Sequence, residues 1–331
     1  MRPRTPQPLL RSAGTQAFLV SDLTNVRYLT GMALTAGIVL LAGRRQTLIT
    51  DARYTERAQR TLPEGWTVAD GAETQALLKP LRECGIESET VTVQRLRLWK
   101  RKFPNTKFVQ TEGVVAEFRR AKEESELKQI RRAHKITVEL LRRVPSALRK
   151  GITEEQVARK LKIWALELGA DGLAFDPIVA FGTHTSSPHH APTSRALQKG
   201  HIVQIDVGAQ VQGYCADRSE VYFTTRPTAE EERMYRALTE AKEAAKSLVR
   251  AGVNTRALDR KAREVLRQYG IENAFTHSLG HGVGLEIHEG VSLSEKAPDR
   301  KLLAGEVITI EPGVYFPGKF GMRLEDMVIV R

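Results

Sequence analysis

Four short stretches in the second half of the chain carry ionisable residues out of apolar surroundings. In His201-Ile202-Val203-Gln204-Ile205-Asp206-Val207-Gly208, Asp206 interrupts an apolar run, where an ionised carboxylate is costly unless something compensates it. Asp217 follows eleven residues on, after Gly213-Tyr214. Two strands joined by a tight turn at Gln212-Gly213 would set both carboxylates on one sheet face, the turn supplying the phase change that an odd offset requires. Carboxylates so placed repel: one is protonated, or a cation lies between them. A surface hairpin with ordinary acids would suit Asp217 but not Asp206.

The second stretch runs His277-Ser278-Leu279-Gly280-His281-Gly282-Val283-Gly284-Leu285-Glu286-Ile287-His288-Glu289. Its glycines permit close backbone approach, and its imidazoles can serve as neutral ligands or acid–base groups. One such histidine alone would read as a satisfied core residue; three among twelve positions point to function. The third stretch ends the apolar Val307-Ile308-Thr309-Ile310 on Glu311, and the fourth embeds Glu325 between Leu324 and Asp326-Met327-Val328. Buried acids without matching buried cations call for a cation from outside. Asp206, Asp217, His281, Glu311 and Glu325 make an oxygen-rich set suited to Mn²⁺, Co²⁺ or Zn²⁺ and too oxygen-rich for structural zinc. Five ligands, some bridging, suit two ions about 3.5–4 Å apart.

The elements that must position these residues fall into two parts. From Thr15 to about Gly113, strands (Phe18-Leu19-Val20, Gly37–Leu41, Thr47–Thr50, Val91-Thr92-Val93) alternate with helices (Asp51–Arg60 with Asp51 as cap, Arg95–Arg101). Glu117–Arg149 then reads as one long amphipathic helix, on Leu127, Ile130, Ala133, Ile136, Leu140 and Leu141. Thr153-Glu154-Glu155-Gln156 opens a further helix as a capping box. Long helices are also expected over Thr228–Ala251 and Asn254–Tyr269. The boundary falls near Glu117, giving domains of residues 1–117 and 118–331. At 331 residues, two domains are the natural reading.

Composition excludes several classes. No apolar run approaches the roughly 20 residues of a membrane span. Met1–Gly14 is basic but lacks the apolar centre of a secretory signal. Cys84 and Cys215 stand in no paired spacing and read as buried reduced thiols, so the cytoplasm is expected. The net charge of +12 concentrates at Arg119-Arg120, Arg131-Arg132, Arg142-Arg143 and Arg149-Lys150. Glutamates interleave there at helical spacing, which reads as a solvated helix face rather than a nucleic-acid surface.

The segment His277–Glu289 resembles, position for position, the signature of the proline-peptidase branch of the pita-bread metallopeptidases, the branch of aminopeptidase P and prolidase. Ile-Asp-Val-Gly-Ala around Asp206, Gly-Tyr-Cys-Ala before Asp217, Ile-Glu-Pro-Gly at Glu311 and Arg-Leu-Glu-Asp at Glu325 follow in the same order. Ser21–Gly31 and Thr50-Asp51-Ala52-Arg53-Tyr54 look like the creatinase-type domain of these enzymes. The resemblance implies an α+β chain: a creatinase-like α/β domain, then a catalytic domain whose curved antiparallel sheet carries two metal ions, Mn²⁺ first and Co²⁺ or Zn²⁺ otherwise.

By the same resemblance Asp206, Asp217, His281, Glu311 and Glu325 are the metal ligands, and water between the ions is the nucleophile. Glu311 is the general acid/base that protonates the leaving proline nitrogen. His189 and His288 bind and polarise the substrate carbonyl, Arg323 orients a carboxylate or the substrate, and Phe175 walls the proline ring; His184, His190 and His201 read as loop residues. Two departures matter. Ala216-Asp217-Arg218-Ser219-Glu220-Val221 stands where relatives often read Ser-Asp-Ile-Thr-Arg-Thr, and Ser292 occupies the position of an arginine that grips a dipeptide's carboxylate in many prolidases. The expected activity is therefore an Xaa-Pro aminopeptidase, with prolidase as alternative. A methionine aminopeptidase or a silent pita-bread binding module fits less well, since all five ligands stand. A homodimer acting on peptides with proline second is implied.

Overall fold

Local capping explains most helix starts in this chain. Asp22 accepts from the Asn25 N–H at 2.9 Å to open the helix Leu23–Thr30, and Asp51 accepts from the Arg53 N–H at 3.0 Å to open Ala52–Thr61. The structure, a computed structural model, describes residues 5–331; the first four residues of the stretch Met1–Gly14 lie outside it. The chain divides into two units, Met1–Arg119 and Arg120–Arg331.

The first unit is built on a six-stranded sheet in the spatial order Trp66–Ala69, Arg45–Ile49, Ile38–Ala42, Ala17–Val20, Glu83–Glu87, Lys107–Thr111. Its pairings are mixed, antiparallel across Ala17–Val20, Ile38–Ala42 and Arg45–Ile49 and parallel elsewhere. Val91-Thr92-Val93 is not the strand expected from its branched side chains. The Thr92 hydroxyl accepts from the Arg95 N–H and caps the helix Val93–Lys102, so a local cap overrides strand propensity there.

The helix expected over Glu117–Arg149 is two helices, Val114–Arg120 and Glu124–Ala147. A capping box between Glu123 and Glu126 restarts the chain. The break also corrects the reading of Arg119-Arg120 as solvated: both are 3% exposed. Arg120 Nε donates to Glu306 Oε1 at 2.8 Å, and Arg119 Nη1 donates to Asn25 Oδ1 at 2.8 Å. The exposed arginines further along behave as expected, Arg131 facing Glu124 and Arg142 and Arg143 facing Glu139.

In the second unit every strand pairing is antiparallel. The strands Ile202–Val207 and Arg218–Phe223 align Ser219 with Asp206 and Arg218 with Val207. Val211 pairs with Tyr214 around a two-residue turn, where Gln212 and Gly213 take φ of 48° and 77°, the left-handed pair that tight hairpins require. Asp217 lies two residues from Ser219, so it shares a face with Asp206. Gly208 allows the strands to close, because a Cβ there would meet the Ala216 carbonyl oxygen at 1.8 Å.

A four-stranded sheet orders Glu289–Leu293, Gly280–Gly282, Val307–Ile310 and Asp326–Ile329. A separate two-stranded sheet, Gly313–Phe316 with Phe320–Arg323, is tied to the strand Ile202–Val207 by a buried side chain: Gln204 Oε1 accepts from the Arg323 N–H at 2.8 Å, and its amide donates to the Arg323 carbonyl at 3.2 Å. Glu325 N–H donates to the Ser219 carbonyl at 3.1 Å. The helices Ala229–Lys246 and Thr255–Gln268 bury Met234, Leu238, Leu258 and Leu266 against strands that include Ile308 and Ile310.

Candidate metal centre

The hairpin, the glycine-rich segment and the ends of two apolar strands converge on one cavity of about 1070 Å³. Asp206, Asp217, His281, Glu311 and Glu325 all line it, as do His189, His288, Arg323 and Phe175. One ligand atom each from Asp217, His281 and Glu325 lie within 4.8 Å of one another. His281 Nε2 stands 3.6 Å from Asp217 Oδ2 and 3.5 Å from Glu311 Oε1. Asp206 lies on the Arg323 side, with the guanidinium donating to its Oδ2. Phe175 is half-buried and lines the same cavity.

Three carboxylate oxygens test whether cations fit. Asp206 Oδ1, Asp217 Oδ1 and Glu325 Oε1 are buried and have no hydrogen-bond partner among the described residues. Such atoms are costly to leave bare. Arg323 is one cation against four carboxylates, leaving three negative charges. One divalent ion would still leave a negative charge, whereas two more than compensate. The donor set therefore fits a pair of divalent ions.

Without ions, burial and mutual repulsion favour protons on Asp217, Glu325 and Glu311. Burial, with Glu325, Asp206 and Glu311 nearby, raises Asp217 well above the carboxylate range. Burial and the charges of Glu311 and Asp206 do the same to Glu325. Glu311 is pushed up to about 8, chiefly by burial, with Arg323 opposing and Asp206 reinforcing. Burial lowers His281 and His277 to about 4 each, so both imidazoles are neutral at pH 7 and His281 can offer a ring nitrogen as ligand.

Around these residues runs a network that sequence spacing did not reveal. Arg323 Nε donates to Ser219 Oγ at 3.0 Å, and its Nη1 donates to Tyr315 Oη at 2.7 Å and to the Pro188 carbonyl at 3.2 Å. Ser219 Oγ in turn donates to Glu325 Oε2 at 3.0 Å. Thr309 Oγ1 accepts from the His281 N–H and donates to Glu311 Oε1. His201 takes no part in the cavity lining and closes its own turn, its Nδ1 accepting from the Gln198 N–H at 3.3 Å. His184 stands in the 3-10 turn Gly182–Ser186, and His190 lies in the loop beyond it but also lines the cavity; both rings anchor on Glu154.

The loop that carries His288 is held from below by an ion pair. Lys122 Nζ stands 2.9 Å from Glu289 Oε1, with side chains 2% and 4% exposed. Glu289 also accepts from the Glu286 N–H. Lys122→Met should take the ammonium away from that buried carboxylate, at a cost of about 3–5 kcal/mol. Thermal unfolding of the variant is expected to fall by about 10 °C; a wild-type midpoint would show that the pair does not hold the loop.

Comparison with known proteins agrees with this construction. Residues 128–331 match metallopeptidase family M24, and residues 4–121 match the Creatinase/Prolidase N-terminal domain. A Xaa-Pro dipeptidase of Pyrococcus horikoshii is 31% identical, covering 95% of this chain and 90% of that protein. The solved structure of a Xaa-Pro dipeptidase from Bacillus anthracis superposes with a TM-score of 0.94 at 30% identity, over 98% of this chain and 94% of the other. An X-Pro aminopeptidase from Thermotoga maritima superposes at 0.89 with 32% identity, over 97% and 94%.

Proposed function

The chain belongs to metallopeptidase family M24, with a creatinase-type domain ahead of the pita-bread domain, and we propose that it is an Xaa-Pro aminopeptidase, releasing the first residue of peptides with proline second. The observation that carries the metal chemistry is the set of bare buried oxygens on Asp206, Asp217 and Glu325. Together with His281 and Glu311 they would hold two divalent cations, Mn²⁺ first and Co²⁺ or Zn²⁺ otherwise. When bound, the pair supplies a water nucleophile of lowered pKa and polarises the scissile carbonyl.

The protein's own groups do the rest. Glu311 lies beside the ligand cluster and holds a proton readily when its charge is uncompensated, which suits the shuttling of a proton to the leaving proline nitrogen. A tertiary amide nitrogen must be protonated to depart, so this step is not optional. His189 and His288 would donate to the substrate carbonyl. Burial and the neighbouring His189 push His288 below its ordinary range, leaving a neutral imidazole with one N–H to give. Arg323 fixes Asp206 and, through Ser219, Glu325. Phe175 would meet the proline ring with an apolar face. Two free, buried cysteines support a reducing compartment such as the cytoplasm.

The preference for longer peptides rests on Ser292, which lines the cavity opposite His281 in the strand pairing. A neutral hydroxyl there cannot neutralise the free carboxylate of a dipeptide as an arginine would. Prolidase is the second reading, favoured by relatives bearing the name Xaa-Pro dipeptidase. Turnover of an Xaa-Pro dipeptide should be compared with that of an Xaa-Pro-Yaa tripeptide, each with added Mn²⁺, Co²⁺ or Zn²⁺. The tripeptide is expected to be the better substrate in kcat/KM; strict dipeptide use would assign prolidase instead, and silence on both with cleavage of Met-Ala peptides would reject proline specificity.

A further inference from the structure

We propose that Glu154 is the positioning residue for His189, acting as a buried post around which the loop before the hairpin is wrapped. This rests on the reading of His189 as a donor to the substrate carbonyl. Glu154 is the first residue of the helix Glu154–Glu167, and its side chain is 0% exposed. Its Oε1 accepts from the Phe181 N–H at 2.8 Å and from His184 Nδ1 at 2.9 Å. Its Oε2 accepts from His190 Nε2 at 2.8 Å, the Thr193 N–H at 2.9 Å and Thr193 Oγ1 at 2.7 Å. One carboxylate thus gathers donors spread over residues 181–193, from the last residue of the strand Ile178–Phe181 into the connection that follows it.

His189 sits beside one of those anchors and faces the cavity. The residue after it, His190, is tied to Glu154; the residue before it, Pro188, gives its carbonyl to Arg323. A third tie fixes the loop from behind, Thr185 Oγ1 accepting from the Gly321 N–H at 2.9 Å. The imidazole of His189 is itself exposed, so its aim depends on these neighbours rather than on packing. A displacement of about 1 Å in a group that aligns a reacting bond costs roughly 100-fold in rate.

The same three residues could be taken for a further metal site, since ligand atoms of Glu154, His184 and His190 also lie within 4.8 Å of one another. Their chemistry argues for hydrogen bonds. An ionised carboxylate has about four acceptor sites, and Phe181 and Thr193 already supply three donors. The two imidazoles, 2.8–2.9 Å from the oxygens, bring the contacts to five, one more than those sites, so no lone pair is left to face a cation. Their rings meet at a tilt of 41° with centroids 4.5 Å apart, leaving each to brace the other.

The test is a double-substitution cycle in the metal-loaded protein, read with an Xaa-Pro-Yaa tripeptide. His190→Leu is expected to lower kcat by about 10- to 100-fold with little change in KM, while bound metal stays at the wild-type level. His190→Gln, whose amide can replace the lost N–H, should recover most of the loss. In the His189→Ala background, His190→Leu should cost nothing further. If His190→Leu unfolds the protein, Thr193→Val, which removes the hydroxyl that donates to Glu154 and accepts from the Arg195 N–H, serves in its place with a smaller effect in the same direction. Full additivity of the two losses, an unaffected kcat, or the loss of a bound metal ion on His190→Leu would each overturn the proposal. A harmless His189→Ala would instead reject the role given to His189.

Discussion

Glu311→Gln is expected to lower kcat by about 10²–10⁴-fold, the usual span for removing a general acid/base. The amide keeps the shape of the side chain and one oxygen for a cation, but it cannot receive and return a proton. The measurement is kcat on an Xaa-Pro-Yaa tripeptide at saturating Mn²⁺, with bound metal counted on the same sample, because Glu311 stands 3.5 Å from His281 Nε2. Loss of rate at full metal content isolates the proton shuttle, and a variant that keeps a tenth or more of wild-type kcat at full occupancy would remove Glu311 from that role. The same substitution should raise the melting temperature of the metal-free protein. It removes a buried acid whose carboxyl, pushed up to about 8 chiefly by burial and further by Asp206, can stay in the fold at neutral pH only by holding a proton. Opposite signs for rate and stability distinguish a functional carboxylate from one kept for the fold.

Much of this site was legible because its chemistry is local in sequence. Asp206 within an apolar run, three histidines among glycines, and strand-terminal Glu311 and Glu325 are each anomalous where they stand, and the cavity collects all of them. The hairpin offset of eleven could be converted to a shared face because strand pairing has a fixed parity. Glu154 was hidden by a correct local reading: it does sit inside the capping box of Thr153 and Gln156. Nothing in that motif tells that its side chain turns inward to a loop nearly forty residues away. Lys122 was invisible for the same reason, since a buried ion pair over more than 160 residues leaves no spacing signal. Arg119-Arg120 was misread because charge runs are usually solvated, and only the helix break after Arg120 turns them inward.

The pH dependence of stability should reverse character when the ions are removed. Glu311, Asp217 and Glu325 all have folded-state affinities for protons above those of the unfolded chain. Between the unfolded and folded titration points the native protein holds more protons, so stability falls as pH rises. For Glu311 that window runs from 4.5 to about 8. Its contribution alone, at 1.36 kcal/mol per unit, is of the order of 5 kcal/mol. The metal-free protein should therefore lose on the order of 10–20 °C in melting temperature between pH 5 and pH 8. Divalent cations hold the same groups ionised and remove the proton linkage, so the loaded protein should show a nearly flat profile over that range. Parallel slopes with and without chelator would mean that the carboxylates are neutralised by something within the chain, and Arg323 is too little charge for that. The same pairing of a single arginine with four acids makes the site unstable when empty and tight-binding when filled, and the energy stored in one state reappears as affinity in the other.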